Sequence, residues 1–592
     1  MLVWVVFSSL LFLIFLALAL QITPVQNWLI DRTAGYLTAN TNFRTEIDNI
    51  RITWWDAVEL QGLRIFDHRD SLMLGAGQAN VDFAILSLIP PGDPVIDAIR
   101  LDRAQVNLLT HRGDTTMNIN RWITELGEVF GSSSSSSAET KFYIQAIELR
   151  QSEFALINYN PDPVASGIDF NRLEFGEITA SADKFRLEGS EIGLHINLLS
   201  GTEINSGLVV QELKTLLTYS PDFIELDALS LKTPKSHVKN YLRLDLTGPE
   251  GFGDLYNQVK LTARMDETKV DLGDLRVFVP ALPDFEDQIY LSGEVSGPIS
   301  DIKSDEFLIR LGEKTALFGS FLLDGLPNLE ETYINLSLKN SVISARDLSP
   351  YLSRELEKEI RKFNLIRLDA DFAGLPTRFT TNGNFRTSIG NLEGRVNYDL
   401  VNDLPTIVSR LRVQNLDLGI LAEDRQLLQK ISLNGNVNFK GNSAQNALID
   451  LNAQISQLGI QNYTYSNIQT DATYGLNLFR GNLTIDDPNL KTQVKGYVNL
   501  AENIDSVRLQ VNLDTLFLDK INLVEKPVFL AGHLDIDTRG IKLDDIQGIA
   551  RFKDIQVGYE DRFLEVGDFF FQSLFAGGTR TLSLNSDYIV AA

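Results

Sequence analysis

The side chains that could support catalysis or metal binding are few and scattered in this sequence of 592 residues. The histidines are His68, His111, His195, His237 and His533. They do not form a zinc-binding motif, and the absence of cysteine excludes thiolate sites and disulfides. The sequence also lacks a Walker A motif and a G-x-S-x-G motif for a nucleophilic serine. We therefore predict no enzymatic activity, no metal and no cofactor, with the histidines at the surface or in turns.

Alternating apolar and polar residues dominate the sequence after Asn42. Because successive side chains of a strand point to opposite faces, this pattern predicts strands with one apolar and one polar face. Turn-forming pairs such as Asn434-Gly435 and Gly577-Gly578 separate the alternating runs. The candidates for the apolar face are Leu242, Leu244, Leu246, Val437, Phe439, Leu451, Ile455, Val507, Leu509 and Val511.

The composition restricts the class of partner. The net charge is −25, which opposes binding to nucleic acid, because phosphate recognition requires clustered Lys and Arg. It also opposes general adhesion to anionic lipid surfaces. A hydrophobic fraction of 44% is typical of a folded chain. The absence of cysteine is compatible with an oxidising compartment.

The N-terminus contains an apolar run from Leu2 to Leu20, in which only Ser8 and Ser9 are polar. As a helix this run would be about 28 Å long, close to the thickness of a bilayer core. It predicts a membrane anchor over residues 1–21. The alternative is a cleaved signal peptide, since Ala17-Leu18-Ala19 fits a cleavage site, but the run is long and no basic residues precede it. The anchor candidates are Leu2, Phe7, Leu13, Phe15 and Leu20, with Trp28 at the membrane interface or packed on the first strands.

A few segments interrupt the alternating pattern. A juxtamembrane helix is predicted within residues 22–41, with Thr23 as its cap and Pro24 at its first position. Further helices are predicted at 120–130, at 348–362 with Ser349 as cap, and at 416–429. The tract from Gly131 to Ser137 is predicted to be a flexible loop. Residues 42–592 otherwise form one elongated β region in this interpretation.

Internal repetition supports an extended array. The segment from Ile96 to Leu108 is similar to the segment from Ile144 to Leu156, at a constant offset of 48 positions. With about 14 residues per strand and turn, the β region would hold roughly 40 strands, and a single sheet would be about 190 Å long. Such a wide sheet curls, and its apolar face would then line a trough that acyl chains could occupy. The alternative is a string of closed β-sandwiches, each of about 100 residues.

The order of these features resembles the TamB family, within the AsmA-like and bridge-like lipid-transfer group, and in particular its Bacteroidota members. The segments that carry this resemblance are TPVQNWL at 23–29, IDNIRI at 47–52, LQGLRIFD at 60–67, YSNIQ at 465–469 with Asp471-Ala472, and GNLTIDDPNLK at 481–491.

The resemblance implies a single-pass inner-membrane protein whose C-terminal part is a periplasmic β-taco, a groove-shaped sheet. It implies movement of phospholipid along the groove towards the outer membrane, a role in outer-membrane biogenesis, and an Omp85-class outer-membrane barrel as partner. The family domain that meets the barrel is expected beyond residue 592, so we expect this chain to be part of a longer protein.

Two other functions fit the sequence. A scaffold or chaperone for insertion or secretion of outer-membrane proteins would use exposed sheet edges to accept client strands. An adhesin-like rod would consist of closed sandwiches. The apolar trough favours lipid guidance over both.

Overall fold

A computed structural model describes residues 22–53, 57–83, 95–129, 141–164, 167–189, 191–246, 254, 256–278, 285, 287–401, 404–442, 446–500, 505–540, 546–560, 562–576, 579–586 and 590–591. The predicted anchor over residues 1–21 and the predicted loop from Gly131 to Ser137 lie outside these residues. The described chain is mainly β with a few short helices, which confirms that part of the predicted fold class.

The chain divides into two compact units, the first comprising Met1–Gly312 with Leu323–Pro327. Its helices are α1 (Thr23–Asn40), α2 (Asn118–Val129) and α3 (Leu272–Leu275). Its strands are β1 (Thr45–Glu46), β2 (Asn49–Thr53), β3 (Ala57–Phe66), β4 (Leu72–Phe83), β5 (Val95–Thr110), β6 (Lys141–Asn158), β7 (Arg172–Glu188), β8 (Glu191–Glu203), β9 (Val209–Ser220), β10 (Phe223–Lys232), β11 (His237–Leu246), β12 (Val259–Asp271), β13 (Gln288–Pro298) and β14 (Asp301–Leu311).

The second unit comprises Glu313–Leu322 with Asn328–Ala592. Its helices are α4 (Ala345–Leu348), a 3-10 helix (Ser349–Tyr351), α5 (Arg354–Arg361) and α6 (Leu418–Leu421). Its strands, the first of which extends slightly beyond the unit, are β15 (Thr315–Asp324), β16 (Tyr333–Ser344), β17 (Leu365–Leu375), β18 (Arg378–Thr387), β19 (Gly390–Val401), β20 (Leu404–Asp417), β21 (Leu428–Lys440), β22 (Leu448–Ile460), β23 (Tyr463–Gly475), β24 (Leu478–Asp487), β25 (Leu490–Asn499), β26 (Ser506–Phe517), β27 (Val528–Arg539), β28 (Gln547–Tyr559), β29 (Arg562–Ala576), β30 (Thr579–Ser586) and β31 (Val590–Ala591).

Strands that follow each other in the sequence also pair in space. In the second unit, β16 to β31 pair successively and antiparallel. In the first unit, β2 to β14 do the same with one exception, the parallel pair β5–β6. Each unit therefore builds its sheet mainly from hairpin-like neighbours.

The parallel pair aligns the internal repeat of the sequence. Ile96 is opposite Ile144 and Leu108 is opposite Leu156, so each paired residue of β5 faces the residue 48 positions later. A parallel pair needs a long crossover connection, and α2 lies in that connection. The repeated segments therefore stack directly on each other.

Two expectations about the strands are wrong. The described residues form 31 strands instead of roughly 40, because most strands are longer than expected, with up to 18 residues in β6. Asn434-Gly435 does not form a turn but lies inside β21. Gly435 is opposite Ala453, and a Cβ atom added to Gly435 would lie 2.5 Å from the Ala453 Cβ atom. Close approach of two strands explains this glycine.

The helix predictions are partly correct. Helices α1 and α2 occupy the segments predicted at the N-terminus and at 120–130. The segment 348–362 is not one helix but is divided into α4, the 3-10 helix and α5. Ser353, and not Ser349, caps α5 by accepting a hydrogen bond from the Leu356 N–H group. The segment 416–429 contains only the single turn α6, because β21 begins at Leu428.

Two of the single-turn helices have a common sequence signal. An Asp-Leu-Gly triplet begins at the last residue of both β12 and β20, which is Asp271 in β12 and Asp417 in β20. The Asp271 carboxylate accepts a hydrogen bond from the Gly273 N–H group, and the Asp417 carboxylate accepts one from the Ile420 N–H group, each at 3.0 Å. The aspartate therefore ends the strand and caps the helix. Our sequence reasoning missed this signal.

In the second unit, α4 and α6 lie at the same end of the sheet. Each follows an even-numbered strand, and alternate strands of an antiparallel sheet run in the same direction. Helix α5 follows α4 after the short 3-10 helix. We call this end of the sheet, with α4, α5 and α6, the helix rim.

Candidate functional site

The apolar candidates of the second unit lie on strands with strict alternation. In β26, Val507, Leu509 and Val511 are half-buried, whereas Arg508 and Gln510 between them are exposed. The two faces of this strand therefore have opposite chemical character, as the sequence predicted. We call the side with the half-buried residues the apolar face.

Cross-strand pairing joins these residues into rows. Val437 is opposite Leu451, and the same row continues across β23, β24 and β25 to Leu509. Directly paired residues share one face of a sheet. At about 4.8 Å per strand, Val437 and Leu509 lie about 24 Å apart on one continuous row. The structure thus brings together three candidates that are up to 72 positions apart in the sequence.

The other candidates of this unit lie on neighbouring rows of the apolar face. Phe439 and Val507 are the two ends of one row across β21 to β26. Ile455 is opposite Leu433 and Ile468. Val511 is opposite Val494 on one side and Leu534 on the other. All seven candidates of the second unit therefore share one face.

Burial changes along the strands of the apolar face. Near the helix rim, Leu433, Ile455 and Ile468 are buried, with 9%, 5% and 4% exposure. Ile420 of α6 packs against this group, as does Phe363 just after α5. Further from the rim, Val437 and Leu451 are half-buried, and Ile449 is 38% exposed. The apolar face is closed at the helix rim and becomes accessible towards the other end of the strands.

Glycines interrupt the apolar rows in the middle of strands. Gly481 and Gly496 are opposite each other on the row of Val437 and Leu509, with φ angles of +145° and +139°. A Cβ atom on Gly496 would lie 1.9 Å from the Arg508 carbonyl oxygen. Only glycine is compatible with this backbone, and mid-strand glycines mark bends of a sheet.

The apolar candidates of the first unit lie on β11 and are also opposite apolar residues of the neighbouring strands β10 and β12. Leu242 is opposite Leu226 and Ala263, and Leu244 is opposite Ile224 and Leu261. Leu246 is opposite Val259 on β12. All three candidates are half-buried. They form one apolar surface within this unit.

The anchor candidates Leu2, Phe7, Leu13, Phe15 and Leu20 lie outside the described residues. Trp28 is on α1 and is 62% exposed. None of the helices in the described part of the chain combines the length and the apolar character required to cross a bilayer.

A buried polar cluster in the first unit is the main feature that the sequence did not predict. The side chain of Asp67 is fully buried, and its carboxylate accepts hydrogen bonds from His111 Nε2 at 2.7 Å and from Asn118 Nδ2 at 3.2 Å. The N–H groups of Arg69 and Ser71 donate two more. Burial opposes ionisation, but these hydrogen bonds outweigh it and lower the pKa of Asp67.

Two of the five histidines belong to this cluster. His68 and His111 lie in connecting segments, as predicted, but their side chains are only 11% and 12% exposed. His68 Nε2 lies 3.0 Å from Asp114 Oδ2. The other histidines, His195, His237 and His533, lie in strands. The contacts of His68 and His111 join loops to the start of α2, which indicates a structural role.

Two of the segments that carry the family resemblance meet at a buried carboxylate. Asp487 is buried at the end of β24, and its carboxylate accepts hydrogen bonds from the Tyr463 hydroxyl group, from both donors of Ser466, and from the Asn489 N–H group. These donors outweigh burial and lower the pKa of Asp487. The segments YSNIQ and GNLTIDDPNLK therefore meet to fix a turn at the helix-rim end of β24.

No metal centre is found in the described parts of the chain, where three or more His, Asp or Glu side chains never come close enough to bind one ion. Comparison with known proteins gives no match to a protein-family model, to a curated protein or to a solved structure.

Proposed function

We propose that this chain is a TamB-like bridge, anchored in the inner membrane, that guides phospholipid along its apolar face through the periplasm towards the outer membrane. The observation that carries the proposal is the continuity of the apolar rows. Paired strands β16 to β30 extend the sheet of the second unit over about 65 Å, far longer than any single lipid. This length is typical of a track and not of a binding pocket.

The partial burial of the apolar face supports a groove. In the second unit the described strands β16 to β31 form one series of paired neighbours, and the helices cover only the helix rim. Nevertheless Val437, Leu451 and Leu509 are half-buried far from that rim. A sheet that bends at Gly481 and Gly496 would shield its own apolar face and form a β-taco.

Acyl chains are the occupant with the best chemical match. Half-buried Val, Leu and Phe side chains remain partly in contact with water, and covering them with an apolar ligand is favourable by about 25 cal/mol per Å². The exposed Arg508, Gln510 and Asn512 on the opposite face keep that surface hydrated. A conduit of this kind needs no catalytic group, metal or cofactor.

Photo-crosslinking tests the proposal with a matched pair of positions. Val437 and Asn436 are neighbours on β21 and point to opposite faces, and Asn436 is exposed. A photoreactive amino acid at position 437 should capture phospholipid in cells, and one at position 436 should not. Capture from position 436 alone, or from neither position, contradicts the proposal.

A scaffold for outer-membrane proteins is the second candidate. It is favoured by exposed apolar side chains on β29 and β30, where Leu574 is 53% exposed, Phe575 is 55% exposed and Leu582 is 36% exposed. Client strands could add to such a surface. Crosslinks from position 575 to unfolded barrel proteins, without lipid at position 437, would support this function over lipid guidance. An Omp85-class barrel is the expected partner in either case.

A further inference from the structure

Two arginines lie directly opposite each other on the polar face of the second unit, which is the side of the sheet opposite the apolar face. Arg395 of β19 is in register with Arg410 of β20. Both side chains are exposed, and neither has an ion pair or a hydrogen bond to another described residue. Like charges in directly opposite positions destabilise a sheet. No contact within the described part of the chain compensates for this repulsion.

The carboxylates around this arginine pair do not neutralise it. Arg412, the next residue on this face of β20, adds a third cation. Among the described neighbours of the pair, direct or diagonal, the only carboxylate is that of Glu393, whose Oε2 atom lies 4.0 Å from Arg412 Nη1. The other neighbours on this face are Thr380, Asn382, Asn384, Asn397, Val408, Asn434, Asn436 and Asn438. Three guanidinium groups therefore share one carboxylate, and the patch keeps an excess of positive charge.

A polar depression with a volume of about 690 Å³ begins at Arg410 and extends over β21 to β24. Six amide side chains in two neighbouring rows line it, namely Asn434, Asn436, Asn452, Gln454, Gln469 and Asn482. All six are exposed, and none has a side-chain hydrogen bond to a described residue. Asp471 provides the only carboxylate among the described residues of the lining. The amides therefore offer donors and acceptors to a ligand that is largely uncharged over this part of the surface.

The two features together indicate the chemistry of the ligand. Side-chain amides both donate and accept hydrogen bonds, which suits the hydroxyl and acetamido groups of a glycan. Neighbouring amides of one row are about 4.8 Å apart, comparable with the length of one sugar unit in an extended glycan. Guanidinium groups donate paired hydrogen bonds to carboxylates. An uncharged glycan would leave the arginine pair without a counter-ion, and acyl chains would need the other face of the sheet.

We propose that the polar face of β19 to β24 binds a glycan strand that carries carboxylate groups. Its sugar units lie over the amide rows, and one of its carboxylates lies between Arg395 and Arg410. This inference goes beyond the proposed function and is independent of it, because it concerns the face that does not contact lipid. Peptidoglycan is a polymer of this chemistry, and a chain that bridges the periplasm would meet it there.

Cosedimentation with purified peptidoglycan sacculi tests the inference. The full chain is used in a non-ionic detergent at about 150 mM salt, where repulsion between distant charges is largely screened. Wild type should sediment with the sacculi. The double variant Arg395→Gln/Arg410→Gln should bind about tenfold more weakly, because it loses the charged hydrogen bonds to a carboxylate. The control Arg378→Gln/Arg508→Gln removes two exposed arginines of the same face that are already neutralised by ion pairs, and it should bind as wild type does.

Chemical denaturation provides a second measurement on the same variants. Because Arg395 and Arg410 repel each other, the variant Arg395→Gln/Arg410→Gln should be at least as stable as wild type. Its weaker binding would then reflect the loss of the contact with the ligand and not unfolding. A variant of the amide rows, Asn436→Ala/Asn452→Ala, keeps the arginines and should also bind the sacculi more weakly.

Competition identifies the class of ligand. Soluble muropeptides, which carry both sugar and carboxylate groups, should displace the chain from sacculi, whereas polyglutamate at the same carboxylate concentration should not. Equal displacement by polyglutamate would overturn the inference and identify an acidic polypeptide as the partner. Failure of wild type to sediment, or equal binding by wild type and the Arg395/Arg410 variant, would also overturn it. Lipid capture at position 437 does not depend on any of these results, so the two proposals fail separately.

Discussion

A negative charge on the apolar face is the most direct test of the lipid track. Val511 is half-buried at the centre of β26 and is opposite Val494 and Leu534. Replacing it by Asp places a carboxylate in the middle of an apolar row that any acyl chain moving along this face would have to cross.

The expected magnitudes follow from the burial of Val511. Full burial of a valine side chain stabilises a fold by about 1.5–3 kcal/mol, so a half-buried one contributes about 1 kcal/mol. A carboxylate in the same position adds a desolvation cost of about 1–3 kcal/mol. The variant should therefore lose about 2–4 kcal/mol of unfolding free energy. If an acyl chain loses contact with two methylene equivalents, at about 0.8 kcal/mol each, its occupancy falls about tenfold.

The assay combines lipid capture with a matched charge control. Lipid crosslinked at position 437 is quantified in the Val511→Asp background and in a Gln510→Asp background. Gln510 is the exposed neighbour of Val511 on the opposite face, between Lys495 and Asp535. The same charge at position 510 should change neither stability nor lipid capture. Equal capture in the two variants, with both proteins folded, would refute a continuous apolar track.

Three further predictions concern the fold. Asp67→Asn should cost about 2–3 kcal/mol at neutral pH, measured by chemical denaturation, because a buried acceptor of four hydrogen bonds loses its charge. The pKa of Asp67 in the folded protein is lower than the ordinary aspartate pKa of 3.8. The carboxylate therefore stabilises the fold at pH values above 3.8, and this stabilisation is lost as the pH falls below 3.8. Wild type should therefore lose more stability in acid than the variant. Gly496→Ala should lower the free energy of unfolding by more than about 2 kcal/mol, measured by thermal unfolding. The control Gly35→Ala lies on α1, where no atom is within 4 Å of the added Cβ atom, and it should be neutral or slightly stabilising. Equal effects of the two substitutions would contradict the mid-strand geometry of Gly496. The double variant Gln105→Cys/Glu153→Cys should form a disulfide on oxidation, detected by mass spectrometry, because these residues are opposite each other in the parallel pair β5–β6. The chain has no native cysteine that could compete. A cysteine pair displaced by two residues should not form a disulfide.

Several features of the fold could be predicted because they are local. The period-two pattern identified the strands and the face of each apolar residue, as β26 illustrates, because side-chain direction alternates along any extended backbone. The apolar candidates were found for this reason. The 48-residue repeat also corresponds to the parallel register of β5 and β6, since similar segments bury similar faces when they stack.

Other features depended on contacts between distant residues. The pair Asn434-Gly435 is typical of a turn, but Gly435 lies inside β21, where Ala453 of β22 approaches it closely. The segment 416–429 was predicted to be a helix from its local sequence. Because β21 pairs with β20 and β22, this segment contains only one helical turn, α6. In both cases hydrogen bonding to neighbouring strands outweighs local preference.

The amino-acid sequence was sufficient to establish that this chain is mainly β and that its strands have one apolar face. The three-dimensional structure was needed to show which residues share a row and where helices close the apolar face. It was also needed to show that the Asp67 and Asp487 carboxylates each accept hydrogen bonds from separate segments of the chain. The physical reason is the range of the forces involved. Alternation is set by neighbouring peptide units, whereas rows, rims and buried polar clusters exist only after strands far apart in the chain have paired in one register.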